Sequence, residues 1–226
     1  MFNVKTSKLC GALVVLGVAS YAPQAMSFGF GNLMGGSSSA SSNAGNPDTF
    51  MKTAASAGIL MNESLAHLTH ALVSKNESAK IDADRKAANA ITDPKEKEAA
   101  LTKVNESETA AINEATHNTD LKAQIKKMDS DKRAELGASA FNFSLALLQD
   151  KSLSDQATGL MSSMSSNPMQ ATKLGDIKGT VSSLSTQISS GSKIAGKMPD
   201  IFSAVSVKAP VSSTDKPMTI KESAGI

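Results

Sequence analysis

Glu63, His67 and His70 are the one set of side chains in the sequence whose types and spacing suit a metal ion. Intervals of four and three residues bring them within about 60° of one another on a helix. Imidazole nitrogens and carboxylate oxygens are common zinc ligands. The same geometry turns all three away from the apolar stripe of their helix, which is typical of a solvated face. The sequence favours the solvated face, keeps a metal site as the alternative, and predicts no other cofactor.

Residues for other catalytic chemistry are not arranged in a recognisable pattern. The sequence contains no Gly-x-Ser-x-Gly, no phosphate-binding glycine loop and no His-Glu-x-x-His motif. All three histidines lie between residues 67 and 117, and the many serines have no base near them in the sequence. We therefore expect a protein that is not an enzyme.

Residues 1–27 have the organisation of a cleaved secretory signal peptide. Lys5 and Lys8 precede an apolar run from Leu9 to Ser20, and a proline and small residues follow it. This order corresponds to the basic, apolar and cleavage regions of such signals. The run of about 12 residues is shorter than the roughly 20 that a membrane span needs. We expect export into the periplasm or out of a bacterial cell.

Removal of this signal changes the chemistry of the chain. Cys10 is the only cysteine and Tyr21 the only tyrosine, and the chain has no tryptophan. The signal also carries two of the 23 basic residues, so the remaining 21 balance the 21 acidic residues. A neutral chain without tyrosine or tryptophan offers little to nucleic acid, whose recognition relies on positive charge and ring stacking. We expect no nucleic-acid partner.

The chain after the signal divides into a linker, a helical domain and a tail. Residues 28–46 are rich in glycine and serine, which predicts a flexible linker. Helical patterns continue through residues 47–200. The chain then turns polar and contains Pro210 and Pro217, so a disordered tail is predicted over residues 201–226.

Three positions carry the residues that start helices. Asn46 can cap a helix whose first residue is Pro47, and Asp93 can do the same before Pro94. Asp129 marks a third start. These signals predict separate helices after residues 46, 93 and 129.

Residues 134–148 are apolar on most sides, which is typical of a buried helix. A separate short helix is predicted over residues 153–164. Membrane contact is the alternative for the apolar segment, but it is too short for a span and contains Asn142. The large side chains of this apolar helix are Phe141, Phe143, Leu145, Leu147 and Leu148.

The last predicted helix has the most regular apolar pattern in the chain. Steps of three and four residues alternate along a seam, which favours coiled-coil-like packing on another helix. The serines and glycines between these positions form helices poorly, so the helix needs a docking surface. We expect that surface inside the same chain, at residues 50–72 and 134–148, with a protein partner or self-association as the alternative. The interaction seam consists of Leu174, Ile177, Val181, Leu184 and Ile188.

Together these patterns predict an all-α fold. We expect an elongated bundle of about four to five amphipathic helices with coiled-coil-like packing, between a flexible N-terminal linker and a C-terminal tail. The leading functional hypothesis is an exported, non-enzymatic bacterial protein that acts through protein–protein contacts at the cell envelope or outside the cell. One alternative is a secreted membrane-interacting protein of the pore-forming type, which is not favoured. The other is a metal-binding bundle that uses Glu63, His67 and His70.

Overall fold

The structure, a computed structural model, describes residues 46–117, 120–167 and 171–220. The predicted signal peptide and residues 28–45 of the predicted linker lie outside these residues. The described chain contains helices and no strand, so the all-α prediction is confirmed. A 3-10 turn at Ala171–Lys173 precedes the sixth helix. The helices are α1 (Pro47–Leu72), α2 (Lys75–Asn89), α3 (Pro94–His117), α4 (Leu121–Lys126), α5 (Ser130–Ser165), α6 (Leu174–Ala195) and α7 (Met198–Val205).

Local capping chemistry starts the three longest helices where the sequence predicts it. The Asn46 side-chain oxygen accepts a hydrogen bond from the backbone N–H of Asp48 at 3.0 Å, ahead of α1. Asp93 accepts from the N–H of Glu96 at 2.9 Å, and Asp129 accepts from the N–H of Lys132 at 2.8 Å. Each bond satisfies a backbone donor that the first helical turn leaves unpaired.

Helix α5 is one continuous helix of 36 residues, where the sequence predicts two separate helices. The prediction of a break between residues 148 and 153 is wrong. This stretch, Gln149-Asp150-Lys151-Ser152, is polar but contains neither glycine nor proline. Both Gln149 and Asp150 are buried, so packing against other elements continues through the polar stretch and holds it helical.

Helices α1 and α5 run antiparallel and share two hydrophobic clusters. The first cluster joins the second half of α1 to the first half of α5, through side chains such as Leu68 and Phe143, and α3 and α7 add to it. The second joins Phe50 at the start of α1 to Leu153 and Leu160 in the second half of α5. The core of the described bundle therefore follows the whole length of this helix pair.

The apolar part of α5 belongs to this core. Phe143 and Leu145 are fully buried, and Phe141, Leu147 and Leu148 are partly buried. Within the described ranges, no helix is both long enough and apolar enough to cross a membrane.

The seam of α6 packs inside the chain. Ile177 and Leu184 are buried in the second cluster, and Leu174 and Val181 pack against it, while Ile188 is half-buried. The docking surface includes the start of α1, as expected, and the second half of α5. Farther along α6, Gly191 lies against Leu147, so part of the expected 134–148 surface is used as well. The second half of α5 is included because α6 follows α5 after a short connection and its first turns fold back along the nearer half of that helix.

The predicted disordered tail is wrong for residues 201–220. Ile201 and Phe202 are buried in α7, and the chain beyond α7 lies against α5. The prediction failed because α7 is only eight residues long and the segment after it is held by side chain–backbone hydrogen bonds, which leave no periodic pattern. Residues 221–226 lie outside the described part of the chain.

Substitution of Leu184 by alanine tests the internal position of the seam. Leu184 is 1% exposed, so we expect Leu184→Ala to lower the free energy of unfolding by about 2–5 kcal/mol. Urea unfolding followed by far-ultraviolet circular dichroism measures this change. Leu174→Ala, at a half-buried position of the same helix, should cost less. Unchanged stability together with a change in oligomeric state would contradict an internal seam.

Candidate functional site

The structure does not bring Glu63, His67 and His70 together as a metal site. His67 Nδ1 lies 2.8 Å from a carboxylate oxygen of Glu135 on α5. His70 Nε2 lies 3.1 Å from a carboxylate oxygen of Asp82 on α2. Glu63 is exposed. The solvated-face interpretation is also wrong for the two histidines, since α1 has neighbours on more sides than its apolar stripe indicates.

The two histidines therefore serve as links between helices. Their exposed fractions, 22% for His67 and 24% for His70, place both rings at the edge of the α1 interfaces. In the described part of the chain, no group of three histidine, cysteine, aspartate or glutamate side chains is arranged to hold a metal ion.

A buried ion pair connects α2 to α3 next to His70. Arg85 pairs with Glu108, whose side chain is 1% exposed. Burial raises the pKa of Glu108 above its ordinary value, and the Arg85 guanidinium opposes that rise. Removal of one partner from such a pair leaves a buried charge uncompensated. The pair therefore connects α2 to α3 within the bundle.

The candidate functional site is a cavity of about 290 Å³ between α1, α3 and α6. We call it the α1–α3–α6 cavity. Helix α1 contributes Met61, Asn62 and Leu65. The remaining lining residues are Pro94, Lys97, Glu98, Leu101, Thr102 and Asn105 from α3, and Ser183, Thr186, Gln187, Ser190 and Gly191 from α6.

The cavity exists because the first half of α3 cannot fill the space beneath it. None of the residues 94–103 is buried, whereas the second half of α3 buries Val104, Ala111 and Ile112. The first half consists mostly of lysine, glutamate and alanine. Charged side chains stay at the surface, and alanine is too short to reach across a groove between two helices.

Polar contacts hold α3 over the cavity on both sides. Asn105 Nδ2 donates a hydrogen bond to Asn62 Oδ1 at 2.6 Å, which connects α3 to α1. The Ser183 hydroxyl donates to the Glu98 carboxylate, which connects α6 to α3. Lys97 Nζ donates to a backbone carbonyl at the end of α2. The two charged lining residues are thus engaged at the rim.

The lining is suited to an uncharged ligand with an apolar body. Met61, Leu65 and Leu101 supply apolar surface, and the other lining groups are mainly amides and hydroxyls. Two amide oxygens of lining side chains, Asn105 Oδ1 and Gln187 Oε1, are buried and have no hydrogen-bond partner among residues 46–117, 120–167 and 171–220. An unpaired buried acceptor costs about 1–3 kcal/mol. A ligand N–H or O–H group that bonds to either oxygen would relieve this cost.

Sequence reasoning missed this site because its residues come from three helices. Thr186, Gln187 and Ser190 are polar residues of α6 that lie outside its apolar seam, so the periodic pattern gives no reason to select them. The available signal is the weak apolar pattern of residues 94–103. A helix that is this polar over one half leaves space where it crosses two apolar neighbours.

Asp150 is a second unusual group, in the middle of α5. It is fully buried, and within the described part of the chain neither of its carboxylate oxygens has a hydrogen-bond partner. Burial raises its pKa from the ordinary 3.8 to about 7. It lies four residues after Ala146 of the first hydrophobic cluster and three before Leu153 of the second. Asp150 is thus placed between the two clusters, on the packed side of the helix.

Comparisons with known proteins add no relative from which a function could be transferred. No family model matches the chain, and neither the curated proteins nor the solved structures give a match.

The buried carboxyl of Asp150 should make the stability of the protein depend on pH. Because its pKa is raised in the folded state, the folded chain retains a proton that the unfolded chain loses between about pH 4 and pH 7. The free energy of unfolding should fall as the pH rises through this range and then level off. At pH 8, Asp150→Asn should stabilise the fold by about 1–3 kcal/mol, because the buried charge is gone.

Urea unfolding at pH 4, 6 and 8 measures this effect as the difference between wild type and variant. Asp155→Asn, an exposed aspartate on the same helix, is the matched control and should leave the pH dependence unchanged. A variant that is less stable than wild type at pH 8 would show that the carboxylate has a partner when charged.

Proposed function

We propose that the protein is an exported, non-enzymatic helical binding protein. Its ligand is a small, uncharged and largely apolar molecule, held in the α1–α3–α6 cavity. The observation that carries this proposal is the cavity itself, whose apolar floor and amide rim lie between three helices. Ligand sites in proteins are commonly concave, mostly apolar and supplied with a few placed polar groups.

The size and charge of the cavity support a small neutral ligand. Its volume of about 290 Å³ is just below the range of about 300–1,000 Å³ for ligand pockets, which favours a small ligand. Lys97 and Glu98 are both engaged at the rim by other protein groups. An ion in the cavity would therefore lack a free counter-charge among the described lining residues, and its desolvation would oppose binding.

Export and the absence of catalysis remain proposals that rest on the sequence. The signal-peptide pattern of residues 1–27 supports export, and the missing catalytic motifs support a binding role. The elongated arrangement of four to five main helices, with coiled-coil-like packing of the α6 seam, is part of the same proposal. A protein–protein role would need a surface other than the seam, because seam residues pack within the chain.

Binding of N-phenyl-1-naphthylamine tests the proposed function. This fluorescent probe is uncharged and apolar and carries one N–H donor. We expect saturable binding to the full chain, with a rise in fluorescence. Thr186→Trp places a large ring in the cavity and should weaken binding at least about tenfold, which corresponds to about 1.4 kcal/mol.

Thr180→Trp is the matched control for this substitution. Thr180 and Thr186 lie on the same helix, both are half-buried, and each hydroxyl bonds to the backbone carbonyl four residues earlier. Of the two, only Thr186 lines the cavity. Equal probe binding by both variants, or no saturable binding by the wild type, would rule out the cavity as the site.

A further inference from the structure

The C-terminal segment, defined here as residues 206–220, is a non-helical stretch that lies along α5. It begins at Ser206, which has a left-handed backbone conformation with φ of 59° and ends helix α7. A turn follows, in which an Asp215 carboxylate oxygen accepts from the backbone N–H groups of Val211 at 2.8 Å and Ser212 at 3.1 Å. The segment then continues to Met218, which lies against Asn142 in the first half of α5.

Two buried amide side chains of α5 hold this segment by its backbone. Asn142 Nδ2 donates to the carbonyl oxygen of Met218 at 2.8 Å, and Asn142 Oδ1 accepts from the N–H of Met218 at 2.7 Å. Gln149 Nε2 donates to the carbonyl oxygen of Ser213 at 3.2 Å. Asn142 and Gln149 are 3% and 7% exposed, and they lie seven residues apart on one face of the helix.

The Asn142 contact resembles the pairing of one extended strand with another. A side-chain amide carries the same donor and acceptor as a peptide group, and here both are used on one residue of the segment. Such contacts recognise the backbone and do not depend on which side chain the bound residue carries. The α5 face that bears Asn142 and Gln149 is therefore built for a non-helical peptide.

The segment itself is weakly anchored. None of the residues 203–220 is buried, and Val211 is 91% exposed. Its close approach to α5 depends on Gly137, where a Cβ atom would lie 2.9 Å from a methyl group of Val207. Elements with few buried contacts open at low free-energy cost. The segment can therefore leave α5 while the helical core stays folded.

We propose that this face of α5 is an acceptor site for the C-terminal segment of a second copy of the chain. A second copy presents the same backbone groups to Asn142 and Gln149 and the same Val207 methyl group to Gly137, so these contacts of the segment can be remade between two chains. Exchange of an identical element between copies is a low-cost route to association. The segment's own chain competes through an effective concentration of about millimolar, so the site is occupied internally in dilute solution.

Two complementary variants of the full chain test this proposal. Met218→Pro removes the N–H that Asn142 accepts from and leaves the α5 site vacant. Asn142→Leu removes the site and frees an intact segment, at a buried position of an apolar helix that tolerates leucine. Labelled Met218→Pro chain is titrated with unlabelled Asn142→Leu chain to about 1 mM, and nitrogen-15 NMR follows the side-chain amide signals of Asn142 and Gln149.

We expect saturable shifts of both amide signals in this mixture. The double variant Asn142→Leu/Met218→Pro is the matched titrant, since its segment is free but lacks the N–H, and it should cause no shifts. A synthetic peptide of residues 207–220 replaces the Asn142→Leu chain if that variant does not fold, as judged by circular dichroism. No shifts with either donor, or equal shifts with the double variant, would overturn the proposal. The outcome is independent of ligand binding in the α1–α3–α6 cavity.

Discussion

The antiparallel packing of α1 against α5 is the constraint on which the rest of the described fold depends. Small residues are buried on both helices, including Ala57 on α1 and Ala146 on α5, which are fully buried. Small side chains let two helices approach closely, and the larger residues beside them then interdigitate. Each of the two hydrophobic clusters contains residues of both helices. The positions of α3, α6 and α7 follow from which part of this pair they cover.

The unusual polar groups of the structure occur where coverage of this pair is incomplete. Helix α6 packs along the second half of α5. The second half of α3 packs against the second half of α1. Between them, the first half of α3 is too polar to complete the core, and the α1–α3–α6 cavity remains. Asp150 lies between the two clusters, where its buried carboxylate oxygens have no hydrogen-bond partner among the described residues. The cavity and the buried carboxyl are thus two results of the same divided core.

The sequence predicts what local chemistry decides and misses what distant contacts decide. Caps at Asn46, Asp93 and Asp129 act within one helical turn, so the helix starts are predictable. His67 pairs with a carboxylate 68 residues away, and Asn142 pairs with backbone 76 residues away. Neither partner leaves a periodic pattern, which explains why the sequence did not indicate the helix-linking contacts of His67 or the packing of the C-terminal segment on α5. The cavity was missed for the same reason, since its walls meet only in the folded chain.

Ligand binding in the α1–α3–α6 cavity is tested most directly by locating a bound probe by NMR. With N-phenyl-1-naphthylamine bound to isotope-labelled full chain, we expect nuclear Overhauser effects from the probe rings to methyl groups of Met61, Leu65 and Leu101, which line the cavity. Effects confined to exposed apolar side chains such as Ile59 and Val211 would contradict it. That result would mean that the first half of α3 closes on α1 and α6 and that the probe binds the surface.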